Sequence, residues 1–214
     1  MTDPHGGQPI VTSGAALGEG DGVAIMIHGR GAEPRNILDL ASRLDRPRWT
    51  YLAPAAANRT WYPYSFMADI SSNEPYLSSA LGAVGRVFAH VESLGIPRTR
   101  IVLIGFSQGA CLSSEYAARH AARYGGIAIL TGGLIGPAGT TWARHGSFAG
   151  TPIFLGSSDV DAHVPKDRVD ETANVFARMG ATVDERIYPG MGHLVNDDEI
   201  AAVREMLDGV GAGK

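Results

Sequence analysis

From about residue 20 onward, short apolar runs alternate with longer stretches of helical periodicity. The runs are Val23–Ile27, Tyr51–Ala53, Ile101–Ile104, Ile127–Leu130, Ile153–Leu155 and Val183–Tyr188. Most lack polar alternation, as strands covered on both faces do. Helical stretches lie near Glu33–Leu44, Pro75–Leu94, Gln108–Arg123, Lys166–Met179 and Asp197–Leu207. In the last of these Ile200, Val203 and Leu207 share one face, and Asn196 or Asp197 is placed to cap it. Gly180 is placed to end the helix before it. This alternation predicts an α/β fold of three layers, a mostly parallel sheet with helices on both faces. Residues 1–20, rich in Gly, Pro and Ser, are expected to be a loose N-terminal segment with at most a short edge strand around Ile10–Thr12. Residues 21–214 are expected to form a single domain.

Two segments break the rhythm. Asn58–Glu74 gathers Trp61, Tyr62, Tyr64 and Phe66 around Pro63, and Gly132–Gly150 mixes Gly and Pro with Leu134, Ile135 and Trp142. Both read as loops, and long loops in compact domains often carry function.

Composition removes several classes. At 214 residues and 44% hydrophobic, the chain can bury one sizeable core. A net charge of −4 with scattered Lys and Arg gives no electrostatic footprint for nucleic acid. No run of 18 apolar residues exists, so no stable membrane insertion is expected. The start has no basic region followed by an apolar run, so no signal peptide and a cytoplasmic location are expected. The single cysteine, Cys111, excludes an intramolecular disulfide and an all-cysteine metal site. His28, Asp159, His163 and His193 lack a metal-ligand spacing such as H-E-x-x-H, so no metal is expected.

The chemistry concentrates at three places. The apolar run at 101–104 leads into Gly105-Phe106-Ser107-Gln108-Gly109, and a helical stretch follows. This is G-x-S-x-G in the strand-to-helix context that exposes a serine on a sharp turn, with glycines where side chains would collide with neighbouring backbone. The following helix N-terminus favours negative charge near Ser107. The run Val23–Ile27 leads into His28-Gly29-Arg30-Gly31, a loop of the kind that supplies an oxyanion donor. The backbone N–H groups of Arg30 and Gln108 are the expected donors, each worth about 3 kcal/mol in a transition state. His28 is expected to hydrogen-bond the loop.

With a nucleophile elbow of this kind, acid and base follow in the order Ser, Asp or Glu, His. After the run Ile153–Leu155 come Asp159 and Asp161, and both compete for the acid. Among the seven histidines, His5 lies in the N-terminal segment, His90 and His120 in helical stretches, and His145 in a loop. His163 is two residues from Asp161, too near to form a separate arm. His193 remains, in the turn Pro189–Gly192 after the last strand and just before the last helix.

Together these residues resemble the small carboxylesterases, phospholipase-like esterases and acyl-protein thioesterases of the α/β-hydrolase fold. The motifs that carry the resemblance are His28-Gly29-Arg30-Gly31, Gly105-Phe106-Ser107-Gln108-Gly109-Ala110, Asp159 to Pro165 and Gly192-His193, over about residues 22–208. It favours Asp161 over Asp159, because D-x-x-V-P resembles the family's acid turn, and leaves Asp159 to bond backbone. It implies ester or thioester hydrolysis with no metal or organic cofactor. The family commonly has Leu where this chain has Arg30, and Gly and Pro where it has Ser158 and Ala162. With no room for a cap domain in Gly132–Gly150, the expectation is an open cleft for short to medium acyl esters. Trp61, Tyr62, Phe66, Leu134 and Leu194 are expected to line it, unless the aromatics only pin the 58–74 loop. The partner is then a small-molecule ester, and the protein a monomer or homodimer. Thioesterase, lactone hydrolase and acyltransferase chemistry with the same triad remain open, as does a non-catalytic binding module on this fold.

Overall fold

In a computed structural model, residues 2–142 and 145–211 are described. Seven strands form one sheet in the order β1-β3-β2-β4-β5-β6-β7. They are β1 (Ile10–Gly14), β2 (Gly22–Ile27), β3 (Trp49–Pro54), β4 (Ile101–Phe106), β5 (Gly126–Leu130), β6 (Pro152–Ser158) and β7 (Thr182–Tyr188). Only β1 runs antiparallel, against β3; the other pairings are parallel. Among the described residues four α-helices lie between strands, α1 (Pro34–Leu44), α2 (Tyr76–Ser93), α3 (Gln108–Arg119) and α4 (Lys166–Arg178), and α5 (Asp197–Gly211) follows β7.

Each central strand feeds two cores by its pleat. Val23, Ile25 and Ile27 of β2 and Leu103 of β4 face α2, α3 and α4. Ala24 and Met26 of β2 and Val102 and Ile104 of β4 face α1 and α5. Double coverage explains why these strands read as unbroken apolar runs. This is the three-layer arrangement that the strand–helix rhythm predicts, and the α/β-hydrolase architecture that the resemblance implies.

The helix expected to reach Arg123 stops at Arg119. His120 leaves helical geometry, and Tyr124 N–H then bonds Thr151 Oγ1 at 2.9 Å, which turns the chain into β5.

Residues 2–20 differ from the expected loose segment: the short edge strand expected around Ile10–Thr12 is present as β1, and the residues before it are anchored. β1 pairs with β3 from Ile10 opposite Pro54 to Gly14 opposite Thr50. His5 is buried; its backbone N–H donates to Ser79 Oγ, and its ring bonds Trp61 O at 2.9 Å and Ala57 N–H at 3.0 Å. Asp3 joins Ser79 and Arg86. A few polar anchors hold the segment, and composition does not register those.

The sheet also sets where a ligand fits. From β2 the chain crosses to β3 on one side, and from β4 it crosses to β5 on the other. Connections that diverge from adjacent strands leave a crevice at their carboxyl ends, the usual binding place in an open parallel sheet.

Candidate active site

That crevice lies between the loops after β2 and β4. Ser107 follows β4 directly, with φ 56° and ψ −122°, a strained conformation for a residue other than glycine. Its N–H donates to Leu130 O at 3.0 Å and its carbonyl accepts from Cys111 N–H at 3.0 Å, so strand and helix together impose the turn. The flanking glycines leave no room for a methyl group. A Cβ on Gly105 would stand 2.4 Å from Gly109 O, and one on Gly109 would stand 2.2 Å from Ile27 O. The elbow is therefore wedged against β2, which sets Ser107 beside the His28–Gly31 loop.

His193 arrives from the far side of the sheet. After β7, Gly190 N–H donates to Asp159 Oδ1 at 2.8 Å and Gly192 N–H donates to Ser158 Oγ at 3.1 Å. These bonds fix the turn that carries His193. Its Nε2 stands 2.8 Å from Ser107 Oγ, and its Nδ1 stands 2.7 Å from Asp161 Oδ2. Asp161 Oδ1 accepts from the N–H groups of His163 and Val164 at 2.7 and 3.0 Å. The Asp161 side chain is fully buried. Burial pushes its carboxyl upward, but the bonds from His163, His193 and Val164 outweigh this and hold it below its ordinary range. With Asp161 ionised beside Nδ1, the proton sits on Nδ1, and Nε2 is left to accept from the serine hydroxyl.

The loop after β2 is braced from behind. His28 is fully buried, with Nδ1 against Gly29 O at 2.8 Å and Nε2 accepting from Ala56 N–H at 3.2 Å. Burial depresses its pKa, which keeps the ring neutral. Among the described residues, the N–H groups of Arg30 and Gln108 donate to no protein acceptor. Gln108 opens α3, where an N–H has no partner within the helix. Both donors are free to meet an oxyanion.

The cleft has a volume of about 490 Å³, and beside Ser107 and His193 its lining includes an aromatic wall of Tyr62, Tyr64 and Phe66 together with Gln108, Cys111, His163 and Val164. Three residues expected there lie elsewhere. Trp61 is fully buried behind the cleft, its Nε1–H donating to His28 O at 2.9 Å. Leu134 is fully buried in the core, under the Arg168 guanidinium that bonds its carbonyl at 2.8 Å. Leu194 is 47% exposed on the outer surface. Hydrophobic type alone does not separate a core position from a cleft wall. No described residue of the 132–150 segment lines the cleft; Gly136 N–H instead bonds Phe66 O at 2.8 Å and supports the wall from outside.

Two roles are not apparent from sequence. The Gln108 side chain accepts from Trp61 N–H at 3.0 Å and donates to Tyr62 O at 2.8 Å, tying the aromatic loop to the elbow. Arg30 donates to Pro63 O and Tyr64 O at 2.8 and 2.7 Å, tying the same loop to the β2 loop. No group of three or more His, Cys, Asp or Glu capable of holding a metal ion exists among the described residues.

A serine on a strained strand-to-helix elbow of a three-layer sheet, joined through histidine to a buried aspartate, defines an α/β-hydrolase. The chain belongs to the phospholipase/carboxylesterase family, whose profile matches residues 15–210. A crystal structure of a phospholipase/carboxylesterase from Dyadobacter fermentans is 42% identical and superposes with a TM-score of 0.89, covering 94% of this chain and 96% of that one. The Bacillus cereus carboxylesterase, at 17% identity, shares the fold with a TM-score of 0.76 over 96% of this chain and 95% of that one. An acyl-protein thioesterase 1 of Debaryomyces hansenii is 28% identical over 121 residues, 56% of this chain and 52% of that one. The chain thus spans about half the length of that curated relative.

Proposed function

We propose that the protein is a serine carboxylesterase that cleaves short to medium acyl esters through an acyl-enzyme. The observation that carries this reading is the continuous hydrogen-bonded chain from Asp161 through His193 to Ser107, beside two unengaged N–H groups. His193 Nε2 takes the Ser107 proton as Oγ attacks the ester carbonyl. The N–H groups of Arg30 and Gln108 hold the oxyanion. His193 then gives its proton to the leaving alcohol, and the alcohol departs. Water enters, loses a proton to His193 and attacks the acyl-enzyme, releasing acid and restoring Ser107. Asp161 holds the tautomer and stabilises the transient imidazolium. The substrate is a small-molecule ester, and the protein acts in the cytoplasm as a monomer or homodimer. No helix among the described residues is long and apolar enough to cross a membrane.

A thioesterase reading is favoured by relatives called acyl-protein thioesterase 1. The same steps serve a thioester, with a thiol leaving. In either reading the cleft of about 490 Å³, lined by Tyr62, Tyr64 and Phe66, suits short to medium acyl chains. The test is hydrolysis of p-nitrophenyl esters from acetate to laurate, with acyl-coenzyme A thioesters of matching length, by wild type and Ser107→Ala. The expected result is ester cleavage that peaks at short to medium chains and falls by several orders of magnitude in the variant. Faster turnover of long thioesters moves the assignment to the second reading. Equal activity in both proteins removes Ser107 from the mechanism.

A further inference from the structure

The cleft around Ser107 carries one permanent charge, which has the Tyr62 ring 6.0 Å from its guanidinium but no carboxylate in the cleft lining to neutralise it. Arg30 lines it, and no Asp or Glu does. The Asp161 carboxylate, the nearest acid to the reacting atoms, is fully buried behind His193. Several other arginines meet acids: Arg43 pairs with Asp197, Arg46 with Asp208 and Arg48 with Asp21, while Arg100 and Arg204, like Arg30, bond backbone carbonyls but lie away from the cleft. Arg30 has no carboxylate within 4.0 Å among the described residues.

Its two protein bonds go to the carbonyls of Pro63 and Tyr64. Carbonyls accept hydrogen bonds but do not neutralise charge. They spend part of a guanidinium that offers five N–H donors in a rigid fork, and they fix its position before any ligand arrives. A clamped, uncompensated arginine loses little side-chain entropy on binding an anion. The location is specific as well. The backbone N–H of the same residue is one of the two proposed oxyanion donors, so a group met by the side chain would lie only a few bonds from the scissile carbonyl. His163, which also lines the cleft, stands exposed beside His193, ring centroids 4.8 Å apart, and offers a second donor to an anion at the cleft mouth.

We propose that the preferred substrates are esters bearing a carboxylate a few bonds from the scissile carbonyl, with Arg30 as the specificity-determining residue. This rests on the esterase reading above and names its substrate class. The carboxylate contact is made equally in ground and transition states, so it acts mainly on KM. Because Arg30 is exposed, added salt weakens the contact.

The experiment compares matched esters that differ in charge. Mono-4-nitrophenyl glutarate against 4-nitrophenyl butyrate places the carboxylate on the acyl side. The butyryl ester of 3-hydroxypropanoate against propyl butyrate places it on the alcohol side. The expected result is a preference of tenfold or more in kcat/KM for the charged member of one pair, carried by KM and reduced in 0.5 M NaCl; the pair that responds identifies the side. Arg30→Met slows both members because the loop clamp is lost, but it slows the charged one at least tenfold more. Arg30→Lys, which keeps the charge, retains part of the preference. No preference in either pair, or equal losses in Arg30→Met, overturns the proposal and leaves Arg30 as a loop clamp only. Calorimetric titration of glutarate into Ser107→Ala separates this proposal from the esterase reading, because it needs no turnover. Binding that Arg30→Met abolishes supports the anion site even if no ester is cleaved. Absence of glutarate binding overturns it even if neutral esters are cleaved.

Discussion

The side chain of Gln108 holds Trp61: its Oε1 accepts from the Trp61 N–H at 3.0 Å, while its Nε2 donates to the next carbonyl, that of Tyr62, at 2.8 Å. The residue thus offers its backbone N–H to the cleft and uses its amide to fix the wall opposite. Gln108→Ala keeps the backbone donor and strands a buried N–H and a buried C=O, at a cost of about 1–3 kcal/mol each before water re-enters. The expected outcome is a fall in melting temperature of several degrees. KM should rise more than kcat falls, since the wall loosens but the donor stays. Thermal melts together with kinetics on one neutral ester check this. An unchanged melting temperature would show that the amide clamp is energetically idle.

Asp161 meets both His193 and its own turn, and the two functions separate by atom. Oδ2 faces His193 Nδ1, and Oδ1 accepts the N–H groups of His163 and Val164. Asp161→Asn can retain the turn through its carbonyl oxygen while its amide forces the wrong histidine tautomer. The expected loss is on the order of 10⁴ in kcat with a near-native fold. The carboxyl is held below its ordinary 3.8, so its contribution to stability is present above that value and is lost only as pH falls through the lower native value. Rate assays and acid unfolding curves of the two proteins test both halves.

How much of this was legible in the chain depends on how local each signal is. The elbow announces itself because Gly105 and Gly109 answer contacts within a few residues and with one neighbouring strand. The strand rhythm is legible because double burial leaves an apolar run. Of the three misplaced residues, Trp61 and Leu134 went inward and Leu194 outward, because apolar character says nothing about which of several surfaces a side chain meets. The anchoring of the N-terminal segment was illegible for a related reason. His5 bonds Trp61 and Ala57 more than 50 residues away, and no local pattern encodes that. Asp159 and Asp161 were separable only by resemblance, since either can reach a loop whose path is set by β7.

The glycines divide by what a methyl group would meet. At Gly109 it would stand 2.2 Å from Ile27 O and 2.6 Å from His28 O, both backbone atoms of the central strand and its loop. Gly109→Ala must push α3 off β2 and is expected to abolish activity and lower soluble yield. At Gly209, inside α5, a Cβ meets nothing within 4 Å. Gly209 lies in the last turn of α5, so Gly209→Ala is expected to stabilise by up to about 0.5 kcal/mol, part of the helix-interior difference. Denaturant curves of the two variants beside wild type decide the contrast. If Gly109→Ala were fully active, the wedge between elbow and β2 would be wrong.

His5 braces the cleft at second hand. Its Nδ1 accepts from Ala57 N–H, so its Nε2–H donates to Trp61 O, and Trp61 in turn donates to His28 O. Burial depresses the His5 pKa below its ordinary 6.5. The unfolded chain therefore takes up a proton first, and stability from this residue falls as pH drops through 6.5 toward the lower native value. His5→Ala should lower the melting temperature at pH 8 and flatten its decline toward pH 5. Melts at both values check the slope. A decline as steep in the variant as in wild type would assign it to other groups.

Glu199 is the opposite case. Its Oε2 accepts from Asn196 N–H and Asn196 Oδ1 accepts from Glu199 N–H, each at 2.8 Å, a reciprocal cap on α5. Its other oxygen, Oε1, is buried with no hydrogen-bond partner and rests against Gly156, where a Cβ would stand 2.1 Å away. Burial pushes the carboxyl up to about 7, with neighbouring Asp198 adding and the Asn196 bond and Arg43 subtracting. The native state therefore holds a proton that the unfolded chain releases near 4.5. Stability from this group is full below 4.5 and is lost as pH rises through about 7, a change of about 3 kcal/mol at 1.36 kcal/mol per pH unit. Glu199→Gln keeps the accepting oxygen for Asn196 and removes the ionisation. The expected outcome is a variant that matches wild type near pH 5 and melts several degrees higher at pH 8.5. Urea unfolding at both pH values measures the difference directly. If the two proteins lose the same stability between them, the carboxyl at 199 is already ionised in the native fold, and the cap on α5 carries its charge at no cost.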